Sequence, residues 1–146
     1  MNKNKKYRVG GLFSGVGGIE LGFQRSGFEI IWANDCDKLA HKTYKAIIGT
    51  DHYIGKKPLK IEKVLSEKYI NQFQKTDVLV AGFPCQAFSI AGRRKGFQDE
   101  RGNVFFRIID LLKYFKNNLI LPKVLVLENV KNFATHGNPK GQTYQI

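Results

Sequence analysis

The segment Gly82-Phe83-Pro84-Cys85-Gln86 places a thiol directly after the apolar run Asp77 to Ala81 and a proline. Proline has no amide proton and a fixed φ, so it ends a strand and stiffens the turn that follows. A thiolate held there is a strong nucleophile, and cationic neighbours such as Arg93, Arg94 and Lys95 raise its population. The competing reading is a small buried cysteine, which is the reading for Cys36. Glu128 ends a second apolar run, Val124 to Leu127. A carboxylate at the tip of a buried strand is partly desolvated, which favours its proton-bearing form. A nucleophilic thiol and a proton-donating carboxyl facing one ligand suit addition to an electron-poor ring. The alternative for Glu128 is a strand-end cap on backbone amides.

A third cluster is Phe13-Ser14-Gly15-Val16-Gly17-Gly18, between a strand pattern and a helix pattern. Glycines there let the backbone turn sharply and approach a ligand closely. The dinucleotide fingerprint G-x-G-x-x-G would need glycine at position 20, where Glu20 stands. Asp35 lies 20 residues after Gly15, at the end of the next apolar run, where a carboxylate can bond a ribose hydroxyl. A nucleoside cofactor without a pyrophosphate fits this better than a dinucleotide; a plain turn followed by a helix-capping aspartate is the alternative. The three histidines and two cysteines show no zinc-ligand spacing.

The elements that must position these residues alternate. Strands are expected at Arg8 to Phe13, Phe28 to Ala33, Asp77 to Ala81 and Val124 to Leu127. Helices are expected at Ile19 to Ser26, Lys38 to Ile48, Ile61 to Phe73 and Val104 to Phe115. The order and the unbroken apolar strands predict an α/β fold, a partial doubly wound, Rossmann-like, mostly parallel sheet of four or five strands with helices on both faces. In such sheets ligands bind beyond the carboxyl ends of the strands. Each polar or glycine cluster above follows a strand, so together they predict one site.

The chain of 146 residues is one domain's worth, with residues 1–6 a basic tail and 7–146 the folded part. A hydrophobic content of 42% excludes a disordered chain, and two cysteines exclude a disulfide scaffold. No apolar run approaches a membrane span, the N-terminus has no secretory signal pattern, and free cysteines point to a reducing, cytoplasmic setting. The net charge of +12 suggests a polyanionic partner, or serves solubility alone.

Taken together, LFSGVGGIELGF (12–23), GFPCQAFSIAGRRKGFQDERGNVFF (82–106), LENVKNF (127–133) and GQTYQI (141–146) resemble the motifs of the DNA (cytosine-5)-methyltransferase family, in order and over nearly the whole chain. The resemblance implies S-adenosyl-L-methionine as methyl donor and a cytosine flipped out of double-stranded DNA. It implies that Cys85 attacks cytosine C6 while Glu128 hydrogen-bonds the N3 edge. Phe13, Ser14, Gly15, Gly17, Asp35, Cys36, Pro84 and Val104 fall at cofactor-side positions. Gln86, Ser89, Arg93, Arg94 and Asn129 fall on the DNA side, and 86–103 matches a loop that closes over DNA. No metal is implied. Three positions depart from the pattern: Lys60 where an aspartate is usual, Cys36 where an aromatic is frequent, and Gly11 where an acidic residue is frequent. The family's recognition domain and later motifs have no counterpart here. The expectation is therefore a fragment, or one subunit completed by a second polypeptide, with a homodimer through exposed apolar surface as a further possibility. A non-catalytic DNA- or cofactor-binding remnant is the alternative.

Overall fold

The computed structural model describes residues 6–84 and 104–130. Its elements are β1 (Arg8–Leu12), α1 (Gly18–Arg25), β2 (Glu29–Asn34), α2 (Lys38–Ile48), a 3₁₀ turn (Ile54–Lys56), α3 (Ile61–Val64), α4 (Glu67–Ile70), β3 (Val78–Gly82), α5 (Val104–Asn117) and β4 (Val124–Glu128). The four strands form one sheet in the order β2-β1-β3-β4, every neighbouring pair parallel. This is the expected α/β architecture. Order reverses at β1, because the chain goes first to β2 on one side and then to β3 on the other. The switch point between β1 and β3 is where a crevice opens in such sheets.

Both faces of the sheet are covered, which explains its unbroken apolar strands. On one face Val9, Ile30, Val78 and Val80 pack with Ile19 and Phe23 of α1. On the other, Leu12, Trp32, Leu79 and Ala81 pack with Ile61, Val64, Tyr69 and Phe73 and with Phe105, Ile108, Leu111 and Phe115 of α5. The helix expected over Ile61 to Phe73 is two single turns instead. Ser66 breaks it: its hydroxyl donates to the Lys63 carbonyl at 2.7 Å, and its backbone is extended at ψ 157°. Serine offers the backbone this local alternative to helix. The apolar face survives the break, since Ile61, Val64, Tyr69 and Phe73 are all buried.

Helix α2 matches its expected limits, Lys38–Ile48, because both ends carry their own signals. Asp37 caps the start, its Oδ1 accepting from the Ala40 amide at 2.7 Å, and Gly49 ends the helix in the left-handed region. Replacing Asp37 by alanine is expected to cost about 1 kcal/mol, the usual worth of such a cap. Urea unfolding followed by circular dichroism checks this, and Asp37→Asn should recover most of the loss.

Candidate functional site

Because the strands are parallel and in register, their carboxyl ends leave the sheet along one edge. Leu12 pairs with Asn34 and with Ala81, and Gly82 pairs with Glu128. The glycine turn, Asp35, Phe83-Pro84 and Glu128-Asn129 therefore emerge side by side, in the order Asp35, glycine turn, Pro84, Glu128. Cys85, Gln86, Ser89, Arg93 and Arg94 lie outside the described residues.

The glycine turn is built tightly. Phe13 takes φ +55°, the left-handed region that costs a non-glycine residue about 1–3 kcal/mol and clusters at functional sites. The Ser14 amide donates to the Asn34 carbonyl at 3.0 Å and the Gly17 amide to the Ser14 carbonyl at 2.8 Å, which hold the strained turn on β2. Gly17 is the N-cap of α1 at φ +87°, and a Cβ there would lie 2.9 Å from the Tyr44 ring, so only glycine fits. At Gly15 a Cβ would meet nothing within 4 Å among the described atoms, so this part of the turn faces open space.

Asp35 is half-buried and braces that turn. Its Oδ2 accepts from the Gly15 amide at 2.8 Å and its Oδ1 from the Asp37 amide at 2.9 Å. From behind, the Tyr53 hydroxyl donates to the Gly15 carbonyl at 3.2 Å. Burial, with the nearby Asp35, Glu20 and Asp51 charges, pushes the Tyr53 phenol up, so it remains a donor. His41 stacks on Tyr53 at 4.2 Å and bonds Asp51 at 3.1 Å. Burial alone would raise Asp51, but bonds from His41 and the Tyr53 amide outweigh it and lower its pKa. Tyr53 and its supports carried no recognisable pattern in the sequence; only the fold brings them to Gly15.

Cys36 is exposed, which corrects its reading as a small buried cysteine. It follows Asp35 off the end of the sheet, ahead of the α2 cap, where no layer covers it. What burial remains pushes its thiol up, with the Asp35 charge adding, while Lys60 opposes them. Lys60 reaches this rim because the Leu59 amide donates to the Asp35 carbonyl at 2.9 Å and Asn34 Nδ2 to the Leu59 carbonyl at 2.8 Å.

On the other side of the switch point, Asn129 Nδ2 donates to the Phe83 carbonyl at 2.9 Å, immediately before the exposed Pro84. The segment after β4 is thereby tied to the segment that leads into Cys85. Val104 starts α5 and is half-buried against the α5 side of the core. Glu128 is exposed, not desolvated as expected of a buried strand end: β4 is the edge of the described sheet, with β3 its only partner, and Val124 and Leu125 are exposed with it. The Glu128 carboxylate leans toward β3. A Cβ on Gly82 would lie 3.5 Å from Glu128 Oε2, 3.6 Å from Ile19 and 4.0 Å from the Phe13 carbonyl. The end of β3 thus sits between the glycine turn and Glu128.

Glu20 was visible only as the residue that spoils the dinucleotide fingerprint. It is 1% exposed, on the sheet-facing side of α1. Burial pushes its carboxyl up, and the Asp35 charge adds to this, against weaker effects of Ser14 and its own amide. Neither carboxyl oxygen makes a hydrogen bond of normal geometry, and neither does the buried Ser14 hydroxyl, although the two are close enough to influence each other. A glycine on the facing strand opposite an acidic residue on a helix's apolar side is the signal that could have pointed to it.

The chain matches the family described as C-5 cytosine-specific DNA methylase over residues 7–145. It is 42% identical over 141 residues to the type II methyltransferase M.Bsp6I of Bacillus sp. (strain RFL6), covering 95% of this chain and 40% of that protein. It is 42% identical over 135 residues to the type II methyltransferase M.HhaI of Haemophilus parahaemolyticus, covering 92% and 36%. The fold is similar to the S. pombe Dnmt2 methyltransferase (TM-score 0.66, 25% identity, covering 93% of this chain and 40% of that one). It is also similar to a putative DNA modification methyltransferase encoded within an E. coli prophage (TM-score 0.60, 26% identity, 88% and 33%). The chain thus spans about two fifths of the length of the curated relatives it matches. With its strand-end motifs on one edge of a parallel sheet and nearly every residue inside the family's match, this chain belongs to the C-5 cytosine-specific DNA methylases.

Proposed function

We propose that this chain carries the catalytic half of an enzyme that transfers a methyl group from S-adenosyl-L-methionine to C5 of cytosine in double-stranded DNA. The observation that carries the reading is the pairing of Gly82 with Glu128, with Asn129 bonded to the Phe83 carbonyl. It brings the proline-cysteine segment and the glutamate segment to adjacent strand ends, where one pyrimidine can meet both.

The residues of the rim fit the methyl donor. Asp35 has lone pairs left for ribose hydroxyls after accepting two amides, and Gly15 leaves open space above the turn. Phe13, Ser14 and Gly17 shape that turn, and Cys36, Pro84 and Val104 flank it. When bound, the cofactor supplies a methyl group on a sulfonium, an electrophile strong enough for transfer to carbon. The chain's own groups make cytosine accept it. The Cys85 thiolate adds to C6, and Glu128 hydrogen-bonds N3 so that charge developing on the ring is stabilised, which leaves C5 nucleophilic. After transfer a base removes the C5 proton, the C6–S bond breaks and the thiolate leaves, restoring the ring. A base inside a duplex is out of reach of a thiol, so the cytosine must be extruded. Gln86, Ser89, Arg93, Arg94 and Asn129 are assigned to the DNA side. The net charge of +12 supports salt-sensitive attraction to phosphates.

Activity requires completion of this chain by further sequence or a second polypeptide, because base readout needs groove contacts beyond those assigned here. Leu119, Leu121, Val124 and Leu125 are exposed beside and on β4 and suit such a partner, or a second copy. No described helix is long and apolar enough to cross a membrane, and a cytoplasmic setting with the DNA fits the reading. The test is methyl transfer from labelled S-adenosyl-L-methionine to duplex DNA, followed by nucleoside analysis. The completed enzyme is expected to put label only into 5-methylcytosine, and the 146-residue chain alone to give little or none. Label in an exocyclic amine, or none with the completed enzyme, would reject the reaction. Robust site-specific transfer by the chain alone would reject the need for completion.

A further inference from the structure

The Glu20 carboxyl is a buried acid with nothing to bond. It is 1% exposed and neither oxygen has a hydrogen-bond partner. An unmet buried polar group costs about 1–3 kcal/mol, so its place beside the site calls for an explanation. The carboxyl fills a specific gap. A Cβ on Gly11 would lie 2.0 Å from Glu20 Oε1 and 2.7 Å from Ser14 Oγ. A glycine in β1 therefore makes room for an acid delivered from α1, next to a second unpartnered oxygen at the start of the glycine turn.

The strand order says what arrives there. Asp35, at the end of β2, stands at one side of the turn, and Glu128 at the other side of β3. With ribose at Asp35 and cytosine between Cys85 and Glu128, the amino-acid end of the methyl donor must lie over the end of β1. The donor groups on that ligand are the adenine amine, the ribose hydroxyls and the α-ammonium, and the ammonium alone belongs to that end. We propose that Glu20, with Ser14 Oγ beside it, accepts hydrogen bonds from the α-ammonium of the bound methyl donor, in the space a side chain on residue 11 would otherwise fill. This rests on the cofactor reading above. Glu20 is a binding residue here and takes no part in the chemistry on cytosine.

The test compares two ligands by calorimetry. S-adenosylhomocysteine keeps the ammonium, and 5′-methylthioadenosine lacks the whole amino-acid end. Glu20→Gln, nearly isosteric, is expected to weaken S-adenosylhomocysteine about tenfold or more, the worth of one charge-assisted hydrogen bond. It should leave 5′-methylthioadenosine unchanged. A double variant, Gly11→Asp with Glu20→Ala, returns the acid to the same space from the strand and should restore discrimination between the ligands, even if Glu20→Gln folds poorly. Equal loss of both ligands in Glu20→Gln, or no loss of either, would overturn the proposal. Failure of the unaltered protein to bind either ligand would instead overturn the cofactor reading on which it rests.

Discussion

Replacing Cys85 by alanine is expected to abolish methyl transfer by the completed enzyme, a loss of at least about three orders of magnitude, because no other described group can make the covalent bond to C6. Serine should rescue almost nothing, since a hydroxyl is far less ionised than a thiol at neutral pH. The informative substrate is DNA carrying 5-fluorocytosine, whose fluorine cannot leave as a proton does. The unaltered enzyme with its methyl donor should trap a protein–DNA adduct that survives a denaturing gel, and Cys85→Ala should trap none. Glu128→Gln should form the adduct more slowly, by about 10²–10³, the usual loss when one stabilising group is removed from a developing charge. Cofactor binding should persist in Cys85→Ala, because the residues assigned to it lie on the β1 and β2 ends. An adduct in Cys85→Ala would remove Cys85 from the chemistry. Loss of cofactor binding together with activity would assign it a structural role instead.

Replacing Trp32 by alanine is expected to destabilise the fold by about 3–5 kcal/mol, a large share of the roughly 5–15 kcal/mol that holds a domain together. Trp32 is 1% exposed on β2 and packs edge-on against Phe73 at 4.9 Å and against Phe115 at 6.1 Å. Its indole N–H donates to the Gln74 carbonyl at 2.9 Å, a bond that alanine leaves unmade. The ring also lies over Gly10, where a Cβ would come within 2.1 Å of it, so Gly10→Ala should disrupt the same contact from the strand side. Trp32→Phe should retain most of the packing and lose the hydrogen bond. Trp32 is the chain's single tryptophan, so unfolding is followed by circular dichroism and not by tryptophan fluorescence. A cost below about 1 kcal/mol would mean that the two aromatic neighbours close over the cavity.

Local signals and long-range geometry divided cleanly along this chain. Helix α2 was legible to the residue because Asp37 and Gly49 mark its ends by chemistry that acts within one turn. The segment from Ile61 to Phe73 was legible as an apolar face but not as two turns, since periodicity is indifferent to the backbone break at Ser66. Asp35 and the glycine turn were legible as a pair, and their direct bond from the Gly15 amide is the contact their spacing suggested. Cys36 and Glu128 were misjudged in exposure for one reason. Burial depends on what other layers cover a residue, and an apolar run reads the same at the edge of a sheet as at its centre.

What the sequence determined by itself was the set of strands and helices, their parallel arrangement and the family motifs at the strand ends. These rest on periodicity, turn chemistry and residue identity, all of which are written locally. Only the tertiary structure decided the strand order β2-β1-β3-β4, and with it which motifs stand next to one another. Only it tied Asn129 to the carbonyl before Pro84, set Tyr53 behind Gly15 and lodged the Glu20 carboxyl in the space left by Gly11. Those contacts join residues far apart in the chain, and their geometry exists only once packing has fixed the distance between a helix and the strand beneath it.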